Sequence, residues 1–211
     1  LPFLEAIRQS RRDFGYKNTM FIHNTLVPYL SAAKELKTKP TQHSVKTLLE
    51  SGVQPDILVC RAEHSIDEDI RRKLALFTNV RPKNVIESRD ASTIYEVPVM
   101  MYKEKLDEVV LDYFGLESKQ QPDLDKWLDF LSRLKYPKRT VEIGLIGKYV
   151  ELKESYKSIT EAFIHAGAAN EVEVKIRWIH SEHLTEKNAA NTCKGLDGVL
   201  VAPGFGERGF E

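Results

Sequence analysis

The chain has 211 residues, enough for one large or two small domains with hydrophobic cores, and two is the working expectation. Lys plus Arg (31) and Asp plus Glu (31) cancel to a net charge of zero, which excludes a global field drawing the protein to nucleic acid or an anionic membrane, so any phosphate site has to be local. The two cysteines, Cys60 and Cys193, have no CxxC spacing, no histidine at metal spacing and no secretory segment ahead of them, which fits a cytoplasmic location, and no apolar run approaches a membrane span.

In chain order, PFLEAIRQSRRDF (residues 2–14) carries apolar residues at helical spacing. MFIHNTLV (20–27) reads as a strand, and TQHSVKTLLESG (41–52) as a helix opening at Thr41 behind Pro40, with Val45, Leu48 and Leu49 as its apolar stripe and Gly52 as its stop. DILVCRA (56–62) is a second strand, SIDEDIRRKLALFTNV (65–80) a helix started by Ser65, and NVIES (84–88) a third strand. Alternating strands and helices imply a parallel sheet covered on both faces. From about Gly115 the pattern turns polar and proline-flanked, with one amphipathic helix around Trp127, Phe130 and Leu131, the pattern of an interdomain linker helix over 117–139. TVEIGLIGKYV, SYKSITEAFIHAGAA, EVEVKIRWIH and GLDGVLVAPGFG then begin a second α/β series over 140–211. The chain opens without Met and closes inside GFGERGFE, so a piece of a longer polypeptide is expected.

KTKPTQHSV (37–45) is the first cluster with chemistry. A loop after a strand that feeds a helix N-terminus is where open α/β sheets bind ligands. Lys37 and Lys39 can reach phosphate oxygens, Thr38, Thr41 and Gln42 can donate hydrogen bonds, and Pro40 holds the turn; a solvated basic loop satisfies the same composition. The second cluster is LDGVLVAPGFGERGF, where glycines past a strand let backbone N–H groups approach a ligand closely, and where a plain tight turn is the alternative. His23, His43, His165 and His180 show no HxxxH or HxH spacing, and no metal site is read from the sequence.

LPFLEAIRQ, LVPYL, KTKPTQHSVKTLLESGVQPDILVCRAE, KLALFTNV, STIYEVP, GLIGKYVEL with SYKSITEA, and APGFGERG resemble the CTP synthase family in order and spacing, over essentially the whole chain. The resemblance implies a parallel-sheet synthetase part of P-loop NTPase-like amidoligase type (1–116), the linker (117–139), and the first strands of an α/β class I glutamine amidotransferase domain (140–211). It implies ATP-dependent amination of UTP to CTP with ammonia from glutamine. It assigns the UTP or CTP triphosphate to Lys37, Thr38, Lys39, Pro40, Thr41, Gln42 and Lys73, across a subunit interface, and the adenine end of ATP to Arg61, Arg89, Asp90 and Ala91. Gly204 and Phe205 take the oxyanion-hole positions for glutamine hydrolysis, and Arg208 and Gly209 match the RG that follows. Many family members read PGGFG where this chain reads APGFG, so Pro203, having no N–H, is excluded as a donor.

Mg²⁺ and the phosphate loop are implied with ligands before Leu1, and the catalytic Cys, His and Glu after Glu211, so the isolated chain is expected to be inactive; Cys193 is not that nucleophile. GTP is implied as an activator, with Lys148, Tyr149 and Lys157 as contributors. A homotetramer, with filaments as a further assembly, is the implied oligomer. Two rival readings come from other classes: an inactive nucleotide-binding regulatory or assembly module, and an amidoligase acting on a non-nucleotide acid.

Overall fold

The computed structural model describes residues 2–117 and 120–204. The chain divides into two compact units that meet at Pro122 and Asp123.

The first unit is built on a three-stranded parallel sheet, β1 (Ile22–Leu26), β4 (Ile57–Ala62) and β5 (Val85–Arg89), in the order β1-β4-β5. A short antiparallel hairpin, β2 (Tyr29–Leu30) and β3 (Glu35–Leu36), leads from β1 into helix α2 (Lys39–Glu50). Helix α1 (Pro2–Phe14) precedes β1, α3 (Glu68–Thr78) joins β4 to β5, and α4 (Val97–Lys103) and α5 (Leu106–Phe114) follow. Alternate residues of the central strand face opposite ways, as strand geometry requires. Leu58, Cys60 and Ala62 pack with Val45 of α2 and Leu74 of α3, whereas Ile57 and Val59 pack with Val109 of α5 and Met101 of α4. Both faces of the central strand are therefore buried, which is why β4 is apolar apart from Arg61.

The α1 and strand expectations agree with the structure to within two residues at each end; two helix starts differ. α2 begins at Lys39, with Pro40 inside its first turn, because proline is compatible with the opening helical positions where no N–H is needed. Thr41 lies within the helix and is fully buried. α3 is capped by Asp67, whose carboxylate accepts the Ile70 N–H at 2.7 Å, and not by Ser65, whose hydroxyl donates to Glu87 at 3.0 Å.

In the second unit the order is β7 (Val172–His180), β6 (Arg139–Gly147), β8 (Gly198–Val201), all parallel. Helix α7 (Lys157–Ala169) covers one face, with Leu145, Val150 and Tyr156 buried against Ile159 and Phe163. Helix α6 (Asp125–Lys135) belongs to this unit, its Phe130 ring 5.6 Å from His165 of α7. A four-residue helix α8 (Ala189–Thr192) precedes β8. On the face away from α7, Gly144 packs closely: a Cβ there would lie 2.5 Å from Leu196 Cδ1, so that side chain would have to shift.

Candidate functional site

In the first unit the carboxyl end of β1 meets the start of α2, with the end of β4 joined to it through Val27. Past β1, the Val27 N–H donates to the Arg61 carbonyl at 2.8 Å, and the Lys37 N–H donates to the Pro28 carbonyl at 2.8 Å, which returns the chain from the hairpin to the sheet edge. α2 starts two residues later. Its Ncap position, Thr38, makes no side-chain cap; the Thr38 hydroxyl instead accepts from the Gln42 side-chain amide at 3.0 Å. The first turn carries no acidic residue. The opening amides and the positive end of the helix dipole are thus left for an anion from outside.

Lys37 and Lys39 flank this helix start. The Lys37 ammonium pairs with the Glu35 carboxylate. Hydrogen bonding and charge from Lys37, with a smaller contribution from the charge of Lys73, hold the Glu35 carboxyl below its ordinary range. Lys39 is exposed at the first helical position. Lys73 shares one face of α3 with Leu76 and Phe77, which are 78% and 59% exposed.

Thr41 and its neighbours anchor the helix from behind. The Thr41 hydroxyl donates to the Leu26 carbonyl at 2.9 Å and accepts from the Thr25 hydroxyl at 3.3 Å. Its side chain is therefore turned into the protein, so only its backbone faces the helix opening. One turn on, Ser44 Oγ lies 2.9 Å from His23 Nε2, and burial pushes the His23 imidazole down from its ordinary pKa.

The expected adenine residues lie at the neighbouring strand ends. Arg61 of β4 donates from Nε to Asp90 at 2.9 Å, and the Asp90 N–H donates to the Ala62 carbonyl at 3.1 Å. Arg89 ends β5 opposite Ala62 and lies 3.3 Å from Glu87, and Ala91 is exposed beside them. The Arg61 side chain, 65% exposed, leaves its guanidinium plane open to a flat ligand. The bond from Val27 to Arg61 joins this cluster directly to the α2 approach.

A cavity of about 540 Å³ lies elsewhere in this unit, lined by Arg71, Lys83, Glu104, Lys105 and Glu108. Its charges pair among themselves or with immediate neighbours: Arg71 with Glu104 at 3.0 Å, Lys105 with Glu108 at 3.4 Å and Lys83 with Asp112 at 2.6 Å. It is charge-balanced and offers no anion site.

In the second unit, β8 runs into Ala202, Pro203 and Gly204, and the Ala202 N–H donates to the Ile146 carbonyl of β6 at 2.8 Å. Phe205, Arg208 and Gly209 lie outside the described residues. The stretch after β6 lies against the turn, since a Cβ on Gly204 would stand 3.8 Å from both Cβ and Cδ of Lys148. Tyr156, 4% exposed, accepts the N–H groups of Lys148 and Tyr149 at 3.0 and 3.1 Å. The Lys148 ammonium is 5.8 Å from the Tyr149 ring centroid, and Lys157 pairs with Glu161 one turn along α7 at 2.5 Å.

The sequence offers no site signal for Thr25, Glu35 or Tyr156, and shows His23 only as a histidine outside any metal spacing. The partners of Thr25, His23 and Tyr156 are separated from them by turns and crossovers, whereas Glu35 stands two residues before Lys37, where a carboxylate is not expected in an anion-binding segment. Among the described residues no three His, Cys, Asp or Glu side chains gather to hold a metal, and no helix is long and apolar enough to cross a membrane.

Residues 1–116 match the model of the CTP synthase N-terminus, and residues 151–211 match that of the class I glutamine amidotransferases. Over its full length the chain is 62% identical to a CTP synthase of Christiangramia forsetii, covering 39% of that protein. It is 54% identical to a CTP synthase of Methanocaldococcus jannaschii, covering 40% of it, and 48% identical to one of Hydrogenobaculum sp., covering 39%. The chain thus spans about two fifths of the length of the curated relatives it matches. With one family model covering residues 1–116 and whole-chain identity to named relatives, the chain belongs to the CTP synthase family.

Proposed function

We propose that the full-length enzyme containing this chain makes CTP from UTP, ATP and glutamine, and that the α2 approach holds the pyrimidine triphosphate. The observation that carries the reading is the side-chain-uncapped first turn of α2 beside Lys37, Lys39 and Lys73, at the carboxyl edge of a parallel sheet. The reaction has two steps. The γ-phosphoryl group of ATP passes to the uracil O4, so that the new O4–P bond replaces the phosphoanhydride bond and ADP leaves. Ammonia then attacks C4, inorganic phosphate departs with O4, and the nitrogen loses a proton. Phosphorylation makes the oxygen a good leaving group, and ammonia is the nucleophile only if it is neutral when it arrives.

This chain's own part is binding and orientation. Lys37, Thr38, Lys39, Pro40, Thr41, Gln42 and Lys73 would hold the triphosphate of UTP, or of CTP as inhibitor, with Thr41 and Pro40 shaping the turn rather than offering side-chain donors. Arg61, Arg89, Asp90 and Ala91 would hold the adenine end of ATP. In the second unit the Gly204 N–H, with the residue at Phe205, would face the oxyanion formed as glutamine is hydrolysed, and Lys148, Tyr149 and Lys157 would contribute to GTP activation.

Mg²⁺ is implied by the family, but among the described residues no carboxylate cluster fits a magnesium site. The remaining catalytic groups belong to the other three fifths of the enzyme, so the 211-residue chain alone should bind nucleotide without turnover. Assembly as a homotetramer and further into filaments in the cytoplasm completes the proposal. The exposed Leu76 and Phe77 beside Lys73 support burial of that face by a second subunit.

Lys39→Ala in the full-length enzyme tests the central assignment. One loop holding both triphosphates predicts that the KM for UTP rises and CTP inhibition weakens together, each by about tenfold, with the KM for ATP unchanged. Unchanged UTP kinetics together with unchanged CTP inhibition would show that the assignment is wrong.

A further inference from the structure

We infer that Tyr156 is a positioning residue for glutamine hydrolysis, acting through the two backbone amides that follow β6. The inference rests on the reading of Gly204 as an oxyanion donor and extends it to a residue seven or eight positions from the amides it binds.

One phenolic oxygen accepts two successive amides, Lys148 N–H at 3.0 Å and Tyr149 N–H at 3.1 Å. The ring that carries it is 4% exposed and lies between Tyr149 and Trp178, with ring centroids 6.4 and 6.3 Å away. The ring cannot withdraw without opening the core it shares with Leu145 and Val150. On the other side of the hydroxyl, Gly147 has no side chain because a Cβ would lie 2.5 Å from the Tyr156 oxygen and 2.7 Å from Cζ. The backbone from Gly147 to Tyr149 is therefore closed down onto this oxygen.

That same stretch is the backstop for the turn after β8. The turn hangs from β6 by the bond from Ala202 N–H to the Ile146 carbonyl, and two residues later Gly204 lies against the Lys148 stem. If the Lys148 amide loses its acceptor, the Lys148 backbone can rotate and the support under Gly204 moves with it. A donor that stabilises an oxyanion acts only when it is aimed at the position the oxyanion will take, and a shift of about 1 Å costs on the order of a hundredfold in rate. Substrate binding elsewhere in the pocket does not depend on that aim.

Tyr156→Phe in the full-length enzyme is the direct test, because phenylalanine fills the same space and deletes only the shared acceptor. The kcat for glutamine hydrolysis should fall by about tenfold while the KM for glutamine is kept and CTP formation from ammonia added to the buffer stays at the wild-type rate. An unchanged glutamine kcat overturns the inference. So does an equal fall with glutamine and with ammonia, which is what general loss of structure produces. Gly204→Pro, which removes the N–H itself, separates the two layers of the argument. If that variant still hydrolyses glutamine, the oxyanion reading fails and the inference falls with it. If it is inactive with glutamine while Tyr156→Phe is fully active, the reading of Gly204 stands and the role of Tyr156 does not.

Discussion

Replacing Thr41 by Val in the full-length enzyme separates two roles that the KTKPTQ motif runs together, holding the helix in place and touching the nucleotide. Thr41 is 0% exposed, and its hydroxyl donates to the Leu26 carbonyl at 2.9 Å while accepting from Thr25 at 3.3 Å. Valine keeps the branched shape but leaves a half-buried carbonyl and a buried hydroxyl without those partners. The shorter bond is worth about 1 kcal/mol net, the longer one less, and the desolvated groups left behind bring the expected loss to about 1–3 kcal/mol. The unfolding transition of the synthetase part should then move down on the order of 5 °C in differential scanning calorimetry. The KM for UTP should rise by less than about threefold, because the hydroxyl faces the sheet and the backbone N–H that the ligand would use is retained. A variant that raises the KM for UTP as much as Lys39→Ala does, with no loss of stability, would refute this reasoning and put the Thr41 hydroxyl on the nucleotide.

Two further predictions follow from the charges and the burial. Glu35 holds Lys37 in an ion pair, so a bound triphosphate has to compete for that ammonium; Glu35→Gln should tighten both UTP binding and CTP inhibition, with the gain shrinking as salt is added, and weaker binding at all salt concentrations would sink the idea. Cys60 is fully buried in β4, and burial pushes its thiol from 9.0 up to about 12, against a smaller opposing effect of Arg71. Above pH 9 the unfolded chain gives up this proton and the folded one keeps it, so the native state binds more protons and stability falls with rising pH, by at most about 1.4 kcal/mol per unit. Cys60→Ala, although less stable at every pH because of the cavity it leaves, should show a shallower decline in denaturant midpoint above pH 9. Parallel declines in the two proteins would show that the thiol does not titrate this way.

The parts of this fold that are legible in the sequence are those set by neighbours along the chain. The apolar spacing of α1 and the unbroken apolar run of β4 depend on residues a few positions apart, and both elements fall where the spacing puts them. The start of α3 is not of this kind. Ser65 has the right side chain for a cap, but Glu87 of β5 takes its hydroxyl and the Ile66 N–H, and the cap passes to Asp67. Nothing within ten residues of Ser65 announces that competitor. The hairpin of β2 and β3 escapes for another reason, since strands of two residues are too short to show a period.

The site divides the same way. The residue types around α2 are legible, but the direction of each hydroxyl is not, because Thr38 at the Ncap and Thr41 three positions on in the helix are spent on different partners, Gln42 and Leu26. The two turn glycines of the second unit carry the point further. Gly147 closes β6 and Gly204 follows β8 by three residues, and neither has a positive φ. A Cβ on Gly147 would strike Tyr156 at 2.5 Å, so the fold itself demands glycine there; a Cβ on Gly204 would meet only Lys148, at the ordinary distance of 3.8 Å. Neither backbone conformation nor packing within the described residues forbids a side chain at 204. The proposed role of its backbone N–H as an oxyanion donor would supply a reason for glycine, and that proposal predicts that glycine at 204 matters to turnover far more than to stability.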